Sequence, residues 1–316
     1  MVAADPRRRG SHDAVATRAA TVLRAPAPYD LGRTLSCGQA FRWRCQGSEA
    51  VGIFTGRTIQ LQQRGAAITV RGLDDEVALL RLRHYLSVDD PLDEIETALR
   101  RDRVLRRILP ATSGIAILRQ DPWECLVSFI ISAFNNIPKI ELTLGKLADR
   151  FGETGQDGLR VFPTAEALAA ASPRALRACV LGYRAPYVRA VARLVTRGGL
   201  DLNEPGLAPY DEARRMLLAL PGVGEKVADC VLLFAYGKGE AFPVDVWVKR
   251  AVERRYFGGR TQSERRIREF ARERFGRLAG YAQQHLFTYA RSRRRRSSGV
   301  TAAGARQRTP RSPRSR

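Results

Sequence analysis

Two side chains in this sequence have the type and setting to do covalent chemistry together. Lys226 follows the string Leu220-Pro221-Gly222-Val223-Gly224-Glu225, and Asp245 closes Phe242-Pro243-Val244-Asp245 nineteen residues later. An amine, unlike a guanidinium, can shed its proton and form a Schiff base. The chain has only five lysines against 49 arginines, so a lysine in the first turn of a helix stands out from the composition. A carboxylate that starts a helix after a proline is ordinarily an N-cap. It can also face a reaction centre, where it stabilises a developing cation or orients the nucleophile. Taken alone, Lys226 reads as a solvated lysine and Asp245 as a cap.

The element that must present Lys226 is a helix, a Gly-rich turn and a second helix. Met216-Leu217-Leu218 end an apolar run, Pro221 and Gly222 stop it, and the pattern restarts at Glu225. Glycines at such a turn let the backbone approach a phosphate, and free amides at the new helix start bind an anion without reading sequence. Gly222, Val223 and Gly224 are therefore the expected phosphate grip. A plain helix-helix turn and a grip without catalysis are the competing readings.

Composition agrees with a polyanionic partner. The formal charge is +22, of which ten arginines and no acid lie in 291–316; the body between the termini keeps about +9. Nucleic acid fits that balance better than a membrane surface. The longest apolar stretch, Leu126 to Phe134, is interrupted by Ser128 and Ser132 and is too short to span a bilayer. The first residues lack the apolar stretch of a secretory signal. Five scattered cysteines with no C-x-x-C pair predict a reducing compartment, buried thiols and no metal site.

Periodicity divides the chain. Thr58-Ile59-Gln60-Leu61-Gln62 and Ile68-Thr69-Val70-Arg71 alternate, with Gly47, Gly56 and Gly65 as punctuation, which predicts a small antiparallel sheet between about Tyr29 and Gly72. From residue 75 onward the period is helical, including segments 92–108, 122–136 and 139–151. The expected class is α+β: a disordered basic leader over 1–27, an N-terminal α/β domain over 28–110, a helical domain over 111–291 and a disordered Arg-rich tail over 292–316.

With these strings in hand, the chain resembles the helix-hairpin-helix DNA glycosylases, and within them the 8-oxoguanine glycosylase family. Lys226 with Asp245 matches the catalytic signature. Cys37-Gly38-Gln39-Ala40-Phe41-Arg42-Trp43, Arg119-Gln120-Asp121-Pro122-Trp123-Glu124-Cys125, Asn135-Asn136-Ile137, Gly182-Tyr183-Arg184-Ala185 and Ala282-Gln283 with Phe287 follow in family order over about residues 28–291.

The resemblance implies base excision repair by a glycosylase with lyase activity, acting without a cofactor as a monomer on double-stranded DNA containing oxidised guanine. It places the protein inside the cell on DNA, with no membrane partner. Lys226 would attack C1′ of the damaged nucleotide and Asp245 would stabilise the sugar cation. The flipped base would lie between Phe287 and Cys230, read by Gln283 and by the Gly38 carbonyl. Tyr183 and Arg184 match the wedge and the arginine that holds the orphaned base, beside Asn136. Phe134 stands where the family has Asn, Lys139 where it has Arg, and Trp247 where it has His, departures that touch partner-base reading and one phosphate contact. A binding module without catalysis needs neither Lys226 nor Asp245, and an alkylated-base glycosylase that uses water does not need the lysine.

Overall fold

The computed structural model describes residues 20–155 and 158–304, with side chains to residue 292. A five-stranded antiparallel sheet opens the chain: β1 (Ala20–Arg24), β2 (Arg44–Gln46), β3 (Glu49–Phe54), β4 (Arg57–Arg64) and β5 (Ala67–Arg71), in spatial order β1-β5-β4-β3-β2. The alternation seen in the sequence is the reason for its register. Ile59 and Leu61 on β4, and Ile68 and Val70 on β5, face the core from one side of the sheet, with Leu61 opposite Val70.

β1 corrects the expected leader. Ala20–Arg24 pairs along its whole length with β5, and Leu23 is buried opposite Ile68. The strand exists because β5 offers an edge, a non-local contact that five residues cannot announce. The part of the leader before Ala20 lies outside the described residues.

A short helix, α1 (Leu31–Ser36), precedes β2. After the sheet come α2 (Glu76–Leu86), α3 (Leu92–Leu99) and α4 (Arg103–Thr112). The expected single helix over 92–108 is two, because Asp102 caps α4 by accepting from Val104 N and Leu105 N at 2.8 and 2.9 Å. The expected domain boundary at residue 110 falls within α4, which packs on the C-terminal helix.

The remaining helices are α5 (Pro122–Ser132), α6 (Ile137–Phe151), α7 (Ala165–Ala170), α8 (Pro173–Ala178), α9 (Ala185–Thr196), α10 (Glu204–Leu207), α11 (Tyr210–Leu218), α12 (Glu225–Phe234), α13 (Val246–Tyr256), α14 (Glu264–Phe275) and α15 (Ala279–Gly304). Two of them form the centre. α5 is buried from Cys125 to Ser132 and α12 from Val227 to Phe234, and Phe129 stacks on Phe234 at 5.4 Å between ring centroids. Helix continues to Gly304, where an unstructured tail from residue 292 was expected; residues 305–316 lie outside the described residues.

The loop between α1 and β2 is tied to this centre by polar contacts. Gln120 Nε2 donates to Gln39 O at 2.7 Å, and Arg42 pairs with Glu124 at 3.2 Å.

Candidate active site

The hairpin between α11 and α12 sets the position of Lys226. Gly222 has φ +78, and a Cβ there would fall 2.6 Å from Tyr187 Cβ, so both backbone and neighbour require glycine. Val223 departs from the expected phosphate grip: it is buried, and its amide donates to Leu220 O at 3.1 Å. Gly224 is exposed and is the N-cap of α12, with no side chain capping the helix. The open, positive end of α12 therefore faces outward at Gly224. Further along α12, fully buried Asp229 accepts from Tyr210 Oη at 3.0 Å and from Arg214 Nε at 2.9 Å. Arg268 on α14 pairs with Glu225. Burial pushes the Asp229 carboxyl up to about 6 despite Arg214. These contacts fasten α12 to α11 and α14.

Lys226 Nζ donates to Ser132 Oγ at 2.7 Å and stands 5.0 Å from the centroid of the Phe129 ring. Both partners belong to α5. Asp245 caps α13, its Oδ1 accepting from Trp247 N and Val248 N at 3.0 and 2.8 Å. Burial holds the Asp245 carboxyl above its ordinary range, while the two amides and the charges of Lys226 and Arg291 pull the other way. The amine and the carboxylate thus share one field without forming an ion pair. Cys230, one turn beyond Lys226, is buried, and that burial pushes its thiol up to about 12. It is a neutral, packing-grade surface beside the amine.

The expected base-pocket residues converge here. Gly38 has φ +95, and a Cβ on it would lie 3.2 Å from the Phe287 ring, 3.1 Å from Ile137 and 3.0 Å from Arg291 Nη1. Gln39, wholly buried, holds that turn by donating to Thr34 O and Ala116 O and accepting from Leu118 N. Gln283 is 4% exposed and donates to Pro243 O at 3.2 Å, two residues before Asp245. Its Oε1 is buried with no hydrogen-bond partner. A buried acceptor left open costs free energy unless a ligand fills it.

The expected partner-base residues come from the loop after α5, the first turn of α6 and the turn at Gly182–Arg184 before α9. Helix α5 ends at Ser132, not at 136: Ala133 leaves the helical conformation with ψ of 123 and Phe134 takes a left-handed φ of +49. Phe134 is 99% exposed. Arg184 is buried, and its guanidinium donates to the carbonyls of Ala133 and Phe134, to the former through Nε at 3.0 Å, while lying 4.3 Å over the Tyr183 ring. It braces the loop instead of reaching outward. Asn136 is the N-cap of α6, accepting from Lys139 N at 3.0 Å. Lys139 itself is exposed.

Three residues of this site carried no assigned role in the sequence. Ser132 looked like an interruption in an apolar run. Gln39 lay inside a quoted string. Arg291 counted with the tail arginines, yet Nη1 donates to Cys37 O at 3.3 Å and the guanidinium lies 5.2 Å over Phe287. Among the described residues no group of three or more His, Cys, Asp or Glu could hold a metal, and no helix is long and apolar enough to cross a membrane.

Comparison with known proteins follows the same two parts. Residues 22–126 match the family described as 8-oxoguanine DNA glycosylase, N-terminal domain, and residues 127–277 match the HhH-GPD superfamily of base excision DNA repair proteins. A probable N-glycosylase/DNA lyase of Methanothermobacter thermautotrophicus is 30% identical over 83% of this chain and 94% of its own length. The N-glycosylase/DNA lyase of Saccharomyces cerevisiae is 31% identical over 72% of this chain and 68% of its own. The Clostridium acetobutylicum 8-oxoguanine glycosylase/lyase, solved with double-stranded DNA containing cytosine opposite 8-oxoguanine, superposes with a TM-score of 0.80 at 35% identity. That superposition covers 84% of this chain and 93% of the other.

Proposed function

Since the chain belongs to the N-glycosylase/DNA lyase family that removes 8-oxoguanine, within the HhH-GPD base excision repair superfamily, we propose that it excises this base from duplex DNA and cuts the strand through an imine on Lys226. DNA phosphates rest at the open end of α12, at Gly222 and Gly224. The extruded base lies between Phe287 and Cys230. The unpartnered Gln283 Oε1 accepts a hydrogen from its Watson–Crick edge. The Gly38 carbonyl accepts N7–H, a hydrogen that guanine lacks, so one contact separates lesion from normal base.

Chemistry begins with the Lys226 lone pair. It forms the Nζ–C1′ bond as the C1′–N9 pair leaves with the base, which takes up a proton. The Asp245 carboxylate, low in hydration, stabilises the sugar cation as it forms. A proton passes from Nζ to O4′ as the C1′–O4′ bond opens, and the nitrogen lone pair closes the iminium. Removal of a C2′ proton then expels the 3′ phosphate.

The observation that carries this reading is an amine held by a neutral hydroxyl within electrostatic reach of a partly buried carboxylate. The test is a duplex with a single 8-oxoguanine. Wild-type protein releases the base and cleaves on its 3′ side, and Lys226→Gln does neither while retaining duplex affinity. Cleavage by the Gln variant at the wild-type rate would remove Lys226 from the chemistry. The partner is DNA, so the setting is wherever DNA is; an intracellular, DNA-associated protein that acts as a monomer fits the reading.

A further inference from the structure

We infer that Ser132 is a positioning residue for Lys226: it fixes the direction of the amine lone pair without neutralising it. The inference rests on the reading that Lys226 is the nucleophile.

Ser132 closes α5 and is 8% exposed. Its Oγ is 2.7 Å from Phe129 O, one turn back on the same helix, and 2.7 Å from Lys226 Nζ. A hydroxyl has one hydrogen and two lone pairs. The carbonyl of Phe129 can only accept, so the hydroxyl hydrogen is committed to it. What Ser132 turns toward Lys226 is therefore a lone pair, which receives an N–H from the ammonium and from the neutral amine alike. Ser132 cannot donate to the amine lone pair. Once the amine is neutral, that pair must point away from Ser132 and away from α5.

The Phe129 ring, 5.0 Å from Nζ, adds a second, less directional hold from the same helix. Lys226 lies on α12, so the reacting nitrogen is located by an element other than its own. A four-carbon side chain has several rotamers to lose, and a fixed acceptor removes that disorder before the substrate arrives. The iminium formed on Nζ retains one N–H, so the same contact survives bond formation.

The experiment is the rate at which borohydride traps the protein on a duplex carrying one abasic site, with affinity for a tetrahydrofuran-site duplex measured in parallel. An abasic substrate leaves base recognition out. Ser132→Cys keeps the volume but offers a poor acceptor, Ser132→Ala offers none, and Ser132→Thr keeps the hydroxyl. Loss of one hydrogen bond to an amine predicts trapping slower by about 10- to 100-fold in the Cys and Ala variants. Affinity stays within twofold, and Thr returns the rate to within a few fold of wild type. Trapping of the Cys and Ala variants within twofold of wild type overturns the inference. So does a Thr variant as slow as Ala at unchanged affinity. If the wild type is not trapped at all, the reading of Lys226 as nucleophile fails first.

Discussion

Ser132 and Phe134 lie two residues apart, the one buried beneath Lys226 and the other almost wholly in solvent. The reversal takes two residues: Ala133 leaves the helical conformation with ψ of 123, Phe134 follows with φ of +49, and Arg184 pins the turn by their carbonyls. The chain segment that ends α5 beneath Lys226 thus also presents an aromatic face to whatever lies outside.

Phe134 is expected to separate stability from activity. A left-handed aromatic is strained, and Asn tolerates that conformation. Phe134→Asn should unfold in urea at the same concentration as wild type or up to about 1 kcal/mol higher in stability. Excision should slow by roughly 5- to 150-fold, the worth of one base–aromatic stack. Excision at the wild-type rate would take Phe134 out of the DNA interface.

Partner-base preference should be weak. Arg184 gives Nε and Nη2 to the carbonyls of Ala133 and Phe134, which leaves at most Nη1 for an orphaned base, and Lys139 is an exposed point charge without a guanidinium's fixed fork. Single-turnover release of 8-oxoguanine opposite cytosine should lead that opposite adenine by only about tenfold, the low end of one bidentate contact. A preference above roughly a thousandfold would show a partner reader elsewhere.

Gly222→Ala should damage the hairpin twice over. The new Cβ meets Tyr187 at 2.6 Å, and φ of +78 costs an L residue about 1–2 kcal/mol. Affinity for undamaged duplex should fall together with stability. Gly224→Ala, where a Cβ meets open space, should leave stability within about 1 kcal/mol and change binding alone. Equal stability losses at the two glycines would contradict the geometry.

Asp245 should set the acid limb of base release. Its carboxyl is held above the ordinary 3.8 by burial, so the protonated, inactive form accumulates at a higher pH than for a solvated aspartate. The folded state holds that proton more tightly than the unfolded state. Ionised Asp245 therefore costs stability at neutral pH; the cost declines as pH falls through the folded value and is gone below the unfolded one. Asp245→Asn, still a capable N-cap, should be at least as stable at pH 7, slower by a hundredfold or more, and flat across that limb. A variant rate that still titrates there would assign the limb to another group.

The parts of the site that sequence discloses are the local ones. Gly222 and Asp245 carry their structural reasons within a few residues, as a left-handed turn and a cap after proline, and the alternation of β4 and β5 is local too. β1 escapes notice because its only reason to be a strand is the edge of β5, some 45 residues away. Ser132 escapes because its partner Lys226 is 94 positions on, and Arg291 because its acceptor Cys37 is 254 positions back. Arg184 shows another case: the family motif suggested a holder of the orphaned base, and its contacts to the Ala133 and Phe134 carbonyls, some 50 positions back, are not announced by that motif.

The central claim is that Lys226 becomes covalently joined to C1′ of the damaged nucleotide. It is tested by reducing the reaction on an 8-oxoguanine duplex with borohydride, digesting the adduct with nuclease and protease, and locating the sugar remnant by mass spectrometry. The account predicts the remnant on Lys226 alone, and no adduct from Lys226→Gln. A remnant on Lys249, Lys238 or the chain's amino terminus in the wild-type protein would contradict it.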